Sequence, residues 1–346
     1  MRIDAIALGQ PLGDVDGLTR EVASCGFDGL WFTESGRTAY TGCTAAALAG
    51  QGIDIGTAIA LAFVRSPMVT AQIAWELADI TRGRFVLGLG TQVKAHIERR
   101  YSATYDHPGS RLREYVLALR SIFKAFQREE KLDFHGDFWS FDLLPDMWSP
   151  GPMDFPDVPI YVSAVRPWSV RMAGEVADGI HCHPFHSVRY LQEVTLPALR
   201  EGAAKASRDA TDVRVVCPVM AIIGDTEEER AAARESARIR IAFYGSTRTY
   251  SGVFDLHGFE GTSERLHELQ RAGDIRAMGE TITDEMLEVY SLESTWDGLA
   301  DALVERYRDI ADRIIMYDAT GGWSFGAGAL DRWRDVTAAV SKATAS

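Results

Sequence analysis

Arg84-Phe85-Val86-Leu87-Gly88-Leu89-Gly90 is a short aliphatic run that reads as a β-strand. Seven further runs of the same kind surround it, at Ile3–Leu8, Gly29–Thr33, Ile53–Ile59, Val158–Ala164, Gly179–His183, Val213–Ile223 and Ile314–Tyr317. Stretches with apolar residues three and four apart follow them. The clearest are Gly13–Cys25, Pro67–Ile80 with proline at the permissive first turn, Trp168–Ala177 and Ser187–Lys205. Strand followed by helix, repeated, is the signature of a parallel sheet, and eight units predict a closed (β/α)8 TIM barrel. No internal repeat or Gly/Ser linker divides the chain, so residues 1–346 are read as one domain. Two segments exceed simple connections and are read as insertions after strands 4 and 7. Residues 91–157 carry a helix at Arg111–Phe126 and an aromatic stretch from Phe134 to Pro156 expected to form a hairpin. Residues 224–312 carry helices at Thr226–Phe243, Thr283–Tyr290 and Thr295–Tyr307.

Composition narrows the function. With 46% hydrophobic and 25% charged residues in 346, the chain is neither disordered nor fibrous. Its 49 acidic against 36 basic residues give a net charge of −13, which opposes nucleic acid or an anionic membrane as partner. The longest basic run is Arg99-Arg100. No apolar stretch approaches a membrane span, and Met1-Arg2-Ile3-Asp4 opens a strand rather than a leader, so a cytoplasmic location is expected. Cys25, Cys43, Cys182 and Cys217 are scattered without a C-x-x-C pair, which points to reduced, buried thiols.

In a barrel the chemistry sits at the C-terminal strand ends. Those segments are Leu30 to Ser35, Gly56 to Ala60, Gly88 to Gln92, Ser163 to Pro167 and Asp178 to His183. Gly88-Leu89-Gly90 lacks the third glycine of a dinucleotide fingerprint and lies on the fourth strand, so its glycines are read as letting a ligand approach the backbone. No P-loop lysine motif and no G-x-S-x-G elbow occurs, which removes nucleotide hydrolysis and α/β-hydrolase chemistry. His181 and His183 point the same way on a strand, yet a catalytic zinc needs about three protein ligands and nothing nearby supplies the rest; no metal is expected. His107, His135 and His267 read as surface or loop residues.

The set Gly26-Phe27-Asp28-Gly29-Leu30-Trp31, Gly56-Thr57-Ala58-Ile59, Arg65-Ser66-Pro67, Gly83 to Gly90 and Ala173-Gly174-Glu175-Val176-Ala177-Asp178-Gly179 resembles the luciferase-like monooxygenase superfamily. The order is right over essentially the whole chain. Ile241-Ala242-Phe243-Tyr244 and Leu256-His257-Gly258 resemble its deazaflavin-dependent branch. The resemblance implies a TIM barrel that uses coenzyme F420 or, in the alternative, reduced flavin mononucleotide (FMN). It implies a non-proline cis peptide at Ala58–Ile59 backing the cofactor ring, and a phosphate site at the turn Ser163, Ala164, Val165 and Arg166, where a helix N-terminus offers unpaired N–H groups. Thr91 and Val93 after strand 4, and Gly179, Ile180 and His181 on strand 6, are the remaining cofactor contacts it suggests. Arg166 as a solvated surface charge is the plain alternative.

For acid–base work Glu34, just past strand 2, is the first candidate. Deazaflavin dehydrogenases of this family carry a His after that acid and a Glu after strand 4, positions matched here by Ser35 and Val93, so that dyad is missing. His96 is the nearest substitute, with a helix-surface role as its alternative. Three functions stay open: hydride exchange between F420 and an unidentified small organic molecule, oxygenation by reduced FMN and oxygen, or ligand binding without turnover. Phe134, Phe138, Trp139, Phe141, Trp148 and Phe155 are read as a satellite core or subunit interface before a lid, and the resemblance implies a homodimer.

Overall fold

In the computed structural model, which describes residues 1–318 and 328–345, eight parallel strands close into a ring. They are β1 (Arg2–Ala7), β2 (Gly29–Phe32), β3 (Asp54–Thr57), β4 (Phe85–Gly90), β5 (Ile160–Ser163), β6 (Gly179–His181), β7 (Arg214–Ile223) and β8 (Arg313–Asp318). Neighbours pair in chain order, and Ile3 opposite Ile314 joins β1 to β8. The barrel helices are α1 (Val15–Ser24), α2 (Ala39–Ala49), α3 (Pro67–Ile80), α4 (Pro108–Phe126), α5 (Pro167–Val176), α6 (Leu196–Lys205), α7 (Leu299–Tyr307) and α8 (Ala329–Thr344).

Both faces of every strand are buried, which is why the runs read as continuously aliphatic rather than alternating. Outward residues such as Ile3, Leu30, Ile55, Leu87, Ile160, Ile180 and Ile314 pack under the helices. Inward residues Ile6, Trp31, Val86, Tyr161, Val216 and Ile315 fill the barrel. Register pairs large with small there. Trp31 lies opposite Gly56, where a Cβ would stand 2.4 Å from the indole, and Tyr161 lies opposite Gly179, where a Cβ would stand 2.7 Å from the ring.

The floor of the barrel is charged and sealed. Arg313 is bound to Asp4 through two hydrogen bonds of 2.7 Å and to Asp54 through one of 2.5 Å. Its guanidinium lies 5.4 Å from the centre of a Trp31 ring. Gly29 is required beside this group, because a Cβ there would stand 2.8 Å from the guanidinium and 2.9 Å from the Asp4 carboxylate.

Three departures from the periodicity have physical causes. Helix α2 carries no amphipathic signal because it buries Ala39, Tyr40, Gly42, Cys43, Ala46, Ala47 and Ala49 around much of its circumference. The expected helix at Ser187–Lys205 is a single helical path with a π-turn at Leu191–Thr195, just ahead of Pro197. Residues 91–157 contain the barrel helix α4, so the inserted material is split around it. The expected hairpin forms from Phe134–His135 and Ser140–Phe141, and the Glu114 carboxylate accepts the N–H groups of Asp137, Phe138 and Trp139 at 2.8 Å each. After β7 the expected helices appear with Thr226 and Thr283 as their N-caps, joined by further helices at Thr262–Ala272 and Ile275–Thr281. No helix among the described residues is long and apolar enough to cross a membrane.

Candidate functional site

At the C-terminal end of the barrel, partly buried Leu8, Ala58, Val165, Tyr244 and Tyr250 rest on the interior cluster and line its mouth. The Ala58–Ile59 peptide bond is cis, as the sequence comparison of strand 3 implies. Ile59 turns toward Gly90, where a Cβ would stand 2.5 Å from it and 2.5 Å from the Ser163 hydroxyl. The glycines of strand 4 therefore serve the protein's own packing. A Cβ at Gly88 would lie 1.9 Å from the Thr57 carbonyl, and Thr57 holds this crossing by donating to the Gly88 carbonyl (2.6 Å) and accepting the Gly88 N–H (2.9 Å).

Strand alternation sorts the other predicted contacts. Ser163 and His181 share a register position on adjacent strands and face inward. Ile180 and Ala164 turn outward into the helix-covered layer, so Ile180 leaves the site and Ala164 contributes only its N–H, donated to the His181 carbonyl at 3.3 Å. Gly179 sits under the Tyr161 ring at the deep end of β6, away from the mouth. Thr91 donates its hydroxyl to the Gln92 carbonyl at 3.1 Å, and Val93 and His96 are exposed on the lip, His96 on the short helix Lys94–Arg99. Arg166 is exposed at the N-cap of α5 and holds no ion pair among the described residues, with Pro167 next in line.

His181 is the unusual buried group. It is 3% exposed, packed 4.9 Å from Trp31 and 5.7 Å from Tyr161 between ring centres, and neither ring nitrogen has a hydrogen-bond partner among the described residues. Burial, with the nearby charge of Arg313, pulls its pKa down to about 3. A neutral buried imidazole without a protein partner demands one from water or a ligand.

Glu34 has another occupation than the one its position suggests. Its carboxylate is buried, accepts the Leu61 N–H at 2.7 Å, and takes two hydrogen bonds from Arg65, at 2.5 and 3.0 Å. Arg65 also donates to Thr38 at 3.0 Å and covers the Tyr40 ring at 4.9 Å. This is a bidentate clamp tying the end of β2 to the segment just after the cis bond. Glu34→Ala and Arg65→Ala should each lower unfolding free energy by about 3 kcal/mol and couple in a double-mutant cycle by about 1–3 kcal/mol, as groups in one network do. Urea titrations of the four proteins measure this, and additive effects would refute the clamp.

Further groups arrive from segments that sequence reasoning did not connect to the mouth. His183, two residues beyond His181, stands edge-on to Tyr244 (4.7 Å between centres) and close to Tyr250 (4.8 Å). The Tyr244 hydroxyl is hydrogen-bonded to that of Tyr317 at 2.5 Å, joining the insertion after β7 to the end of β8. Burial raises the Tyr244 and Tyr250 hydroxyls, the latter to about 12. Tyr244 falls in the segment that resembles the deazaflavin-dependent branch, but nothing in the sequence sets it or Tyr250 beside His183, because only the return of helix Glu227–Gly245 over the barrel brings them in. All four cysteines are buried and free, and no group of three metal-ligating side chains forms among the described residues.

A family model described as luciferase-like monooxygenase matches residues 2–313, from the first strand to the start of the last. The chain belongs to that family. An uncharacterized protein of Mycobacterium tuberculosis is 41% identical over 290 residues, covering 84% of this chain and 85% of the relative. The 5,10-methylenetetrahydromethanopterin reductase of Archaeoglobus fulgidus is 30% identical over 307 residues, 86% of this chain and 85% of the enzyme. Among solved structures, the coenzyme F420 dependent tetrahydromethanopterin reductase of Methanopyrus kandleri superposes with a TM-score of 0.77 at 18% identity, over 99% of both chains, and so shares the fold. The cis bond and mouth of this luciferase-like barrel thus lie where barrel enzymes place their chemistry.

Proposed function

We propose that the chain is an oxidoreductase that uses coenzyme F420 to pass a hydride to or from a small organic substrate. The kinship with the Archaeoglobus reductase carries the oxidoreductase part of this reading, and the likeness of segments 241–244 and 256–258 to the deazaflavin-dependent branch supports F420 as the cofactor. When bound, the deazaflavin supplies the ring carbon that exchanges the hydride.

The residues present fit such a group. Partly buried Ala58 and Ile59 at the cis bond offer an apolar backing, and Leu8 and Val165 add apolar walls. Arg166 is free to meet a phosphate at the start of α5, where the first-turn N–H groups of Trp168 and Ser169 have no helical acceptor. His181, with two unpartnered nitrogens, is the polar group beneath. The protein's part is to hold and orient the ring and to shield it from water. Ser35 and Val93 stand where an imidazole and a carboxylate would form the acid–base dyad, and Glu34 is tied to Arg65.

Fluorescence quenching tests the reading. F420 should bind in the micromolar range and FMN much more weakly, and Arg166→Ala should weaken F420 about tenfold, the equivalent of about 1.4 kcal/mol, with the loss shrinking as salt rises. Tight FMN binding without F420 binding would select reduced flavin as the cofactor and the monooxygenase chemistry that the family's description names. Binding of neither would select a barrel that holds a ligand without turnover.

A further inference from the structure

His183 is fixed in a way that determines what it can recognise. Its Nδ1 accepts the N–H of Phe185 at 3.1 Å, so in the neutral ring the proton must sit on Nε2. The turn that holds it is locked from behind. His186 Nδ1 bonds the His183 carbonyl at 2.7 Å, His186 Nε2 lies 3.3 Å from the Tyr307 hydroxyl, and Phe185 packs on Phe254 and Tyr290 at 4.8 and 4.9 Å. His183 itself is only half-buried, and Nε2 has no partner among the described residues. A rigid loop therefore presents one N–H donor at the mouth.

The donor's company is neutral. Tyr244 and Tyr250 box the imidazole. One hydrogen bond joins the Tyr244 and Tyr317 hydroxyls, so one of their two protons remains available to another acceptor. A nearby cation, Arg240, has its guanidinium 5.1 Å over the Tyr317 ring. Among the described residues, the contacts of His183 are the Tyr244 and Tyr250 rings, the Phe185 N–H and His186. Burial and His186 keep its pKa near 3, consistent with a ring that stays uncharged at working pH.

We propose that His183 is the specificity-determining donor of this site, its Nε2–H recognising the acceptor oxygen of an uncharged, carbonyl-type substrate. The assignment deepens the oxidoreductase reading and rests on it for the meaning of the substrate. No carboxylate or phosphate on the reacting end is called for, because among the described residues no cation contacts the donor ring.

Nitrogen-15 NMR of the full-length protein labelled at histidine tests this, with and without F420, using cyclohexanone as the carbonyl probe and cyclohexanecarboxylate as its anionic counterpart. His183 should show a single protonated nitrogen, Nε2, unchanged from pH 5 to 8, and cyclohexanone should shift that resonance while the carboxylate leaves it in place. His183→Phe, which keeps the ring packing, should weaken cyclohexanone at least tenfold and leave the circular dichroism spectrum and F420 affinity within twofold of the parent. His183→Gln, which keeps an N–H donor, should recover part of the loss. A proton on Nδ1, titration of His183 between pH 5 and 8, absence of a cyclohexanone shift, or equal probe affinity in His183→Phe would each overturn the assignment. Failure of F420 to quench would sink the cofactor reading instead, and it is scored in a separate titration.

Discussion

Between pH 6.5 and about 4 the protein should lose stability at a limiting rate of about 4 kcal/mol per pH unit, the linkage slope for about three protons. The protons belong to His181, His183 and His186, of which the first and last are 3% and 5% exposed. Burial lowers all three, aided by Arg313 at His181, by His186 at His183 and by Arg306 at His186, to about 3 at His181 and His183 and about 4 at His186. The sign follows from the unfolded chain, whose imidazoles take up protons near pH 6.5, well before the folded ones do. The stabilisation is complete above pH 6.5 and disappears as pH falls toward the folded values. Urea unfolding of the parent at pH 7, 6 and 5 measures the slope, and His181→Phe should remove about one proton from it. A parent equally stable at pH 7 and 5 would mean that these rings accept protons inside the fold.

Arg313→Met should lower the unfolding free energy by about 3–5 kcal/mol, the cost of stranding a buried charge. Asp4 has no exposed surface and its carboxyl is raised by burial against the opposing pull of Arg313, so without the guanidinium nothing neutralises it. Asp54 would retain Arg2, 2.5 Å away, and loses less. The ion group is not itself a large source of stability, because removing three charges from water costs nearly as much as their attraction returns. Replacing all three together, with Asp4→Leu and Asp54→Leu added to Arg313→Met, should therefore recover most of the loss. Guanidinium chloride midpoints compare the variants. An Arg313→Met protein within about 1 kcal/mol of the parent would show that the floor is hydrated enough to screen Asp4.

Much of the scaffold was legible in the sequence because buried parallel strands leave unbroken aliphatic runs. Arg84 to Gly90 and its seven counterparts each mark a barrel strand within a few residues. Helix α2 was silent for the same reason in reverse, since burial around its circumference erases the period of 3.6. At the site, the cis bond at Ala58–Ile59 was legible through likeness to a family, and so was the turn ahead of α5. Ile180 and Gly179 were misplaced because a run of residues says little about which side chains face inward until register is known. Glu34 looked like a catalytic acid because its partner Arg65 lies 31 residues away in the chain.

By itself the sequence determined the class of fold, the number of barrel strands and the end of the barrel where chemistry belongs, because these follow from local hydrophobic pattern and chain order. The tertiary structure decided which polar groups are free. Closing the ring paired Arg313 with Asp4 and Asp54, clamped Glu34 to Arg65, and left His181 without a partner among the described residues. The fold of the insertion set Tyr244 and Tyr250 against His183. Hydrogen-bond satisfaction depends on contacts between residues far apart in the chain, so it exists only once the barrel is closed.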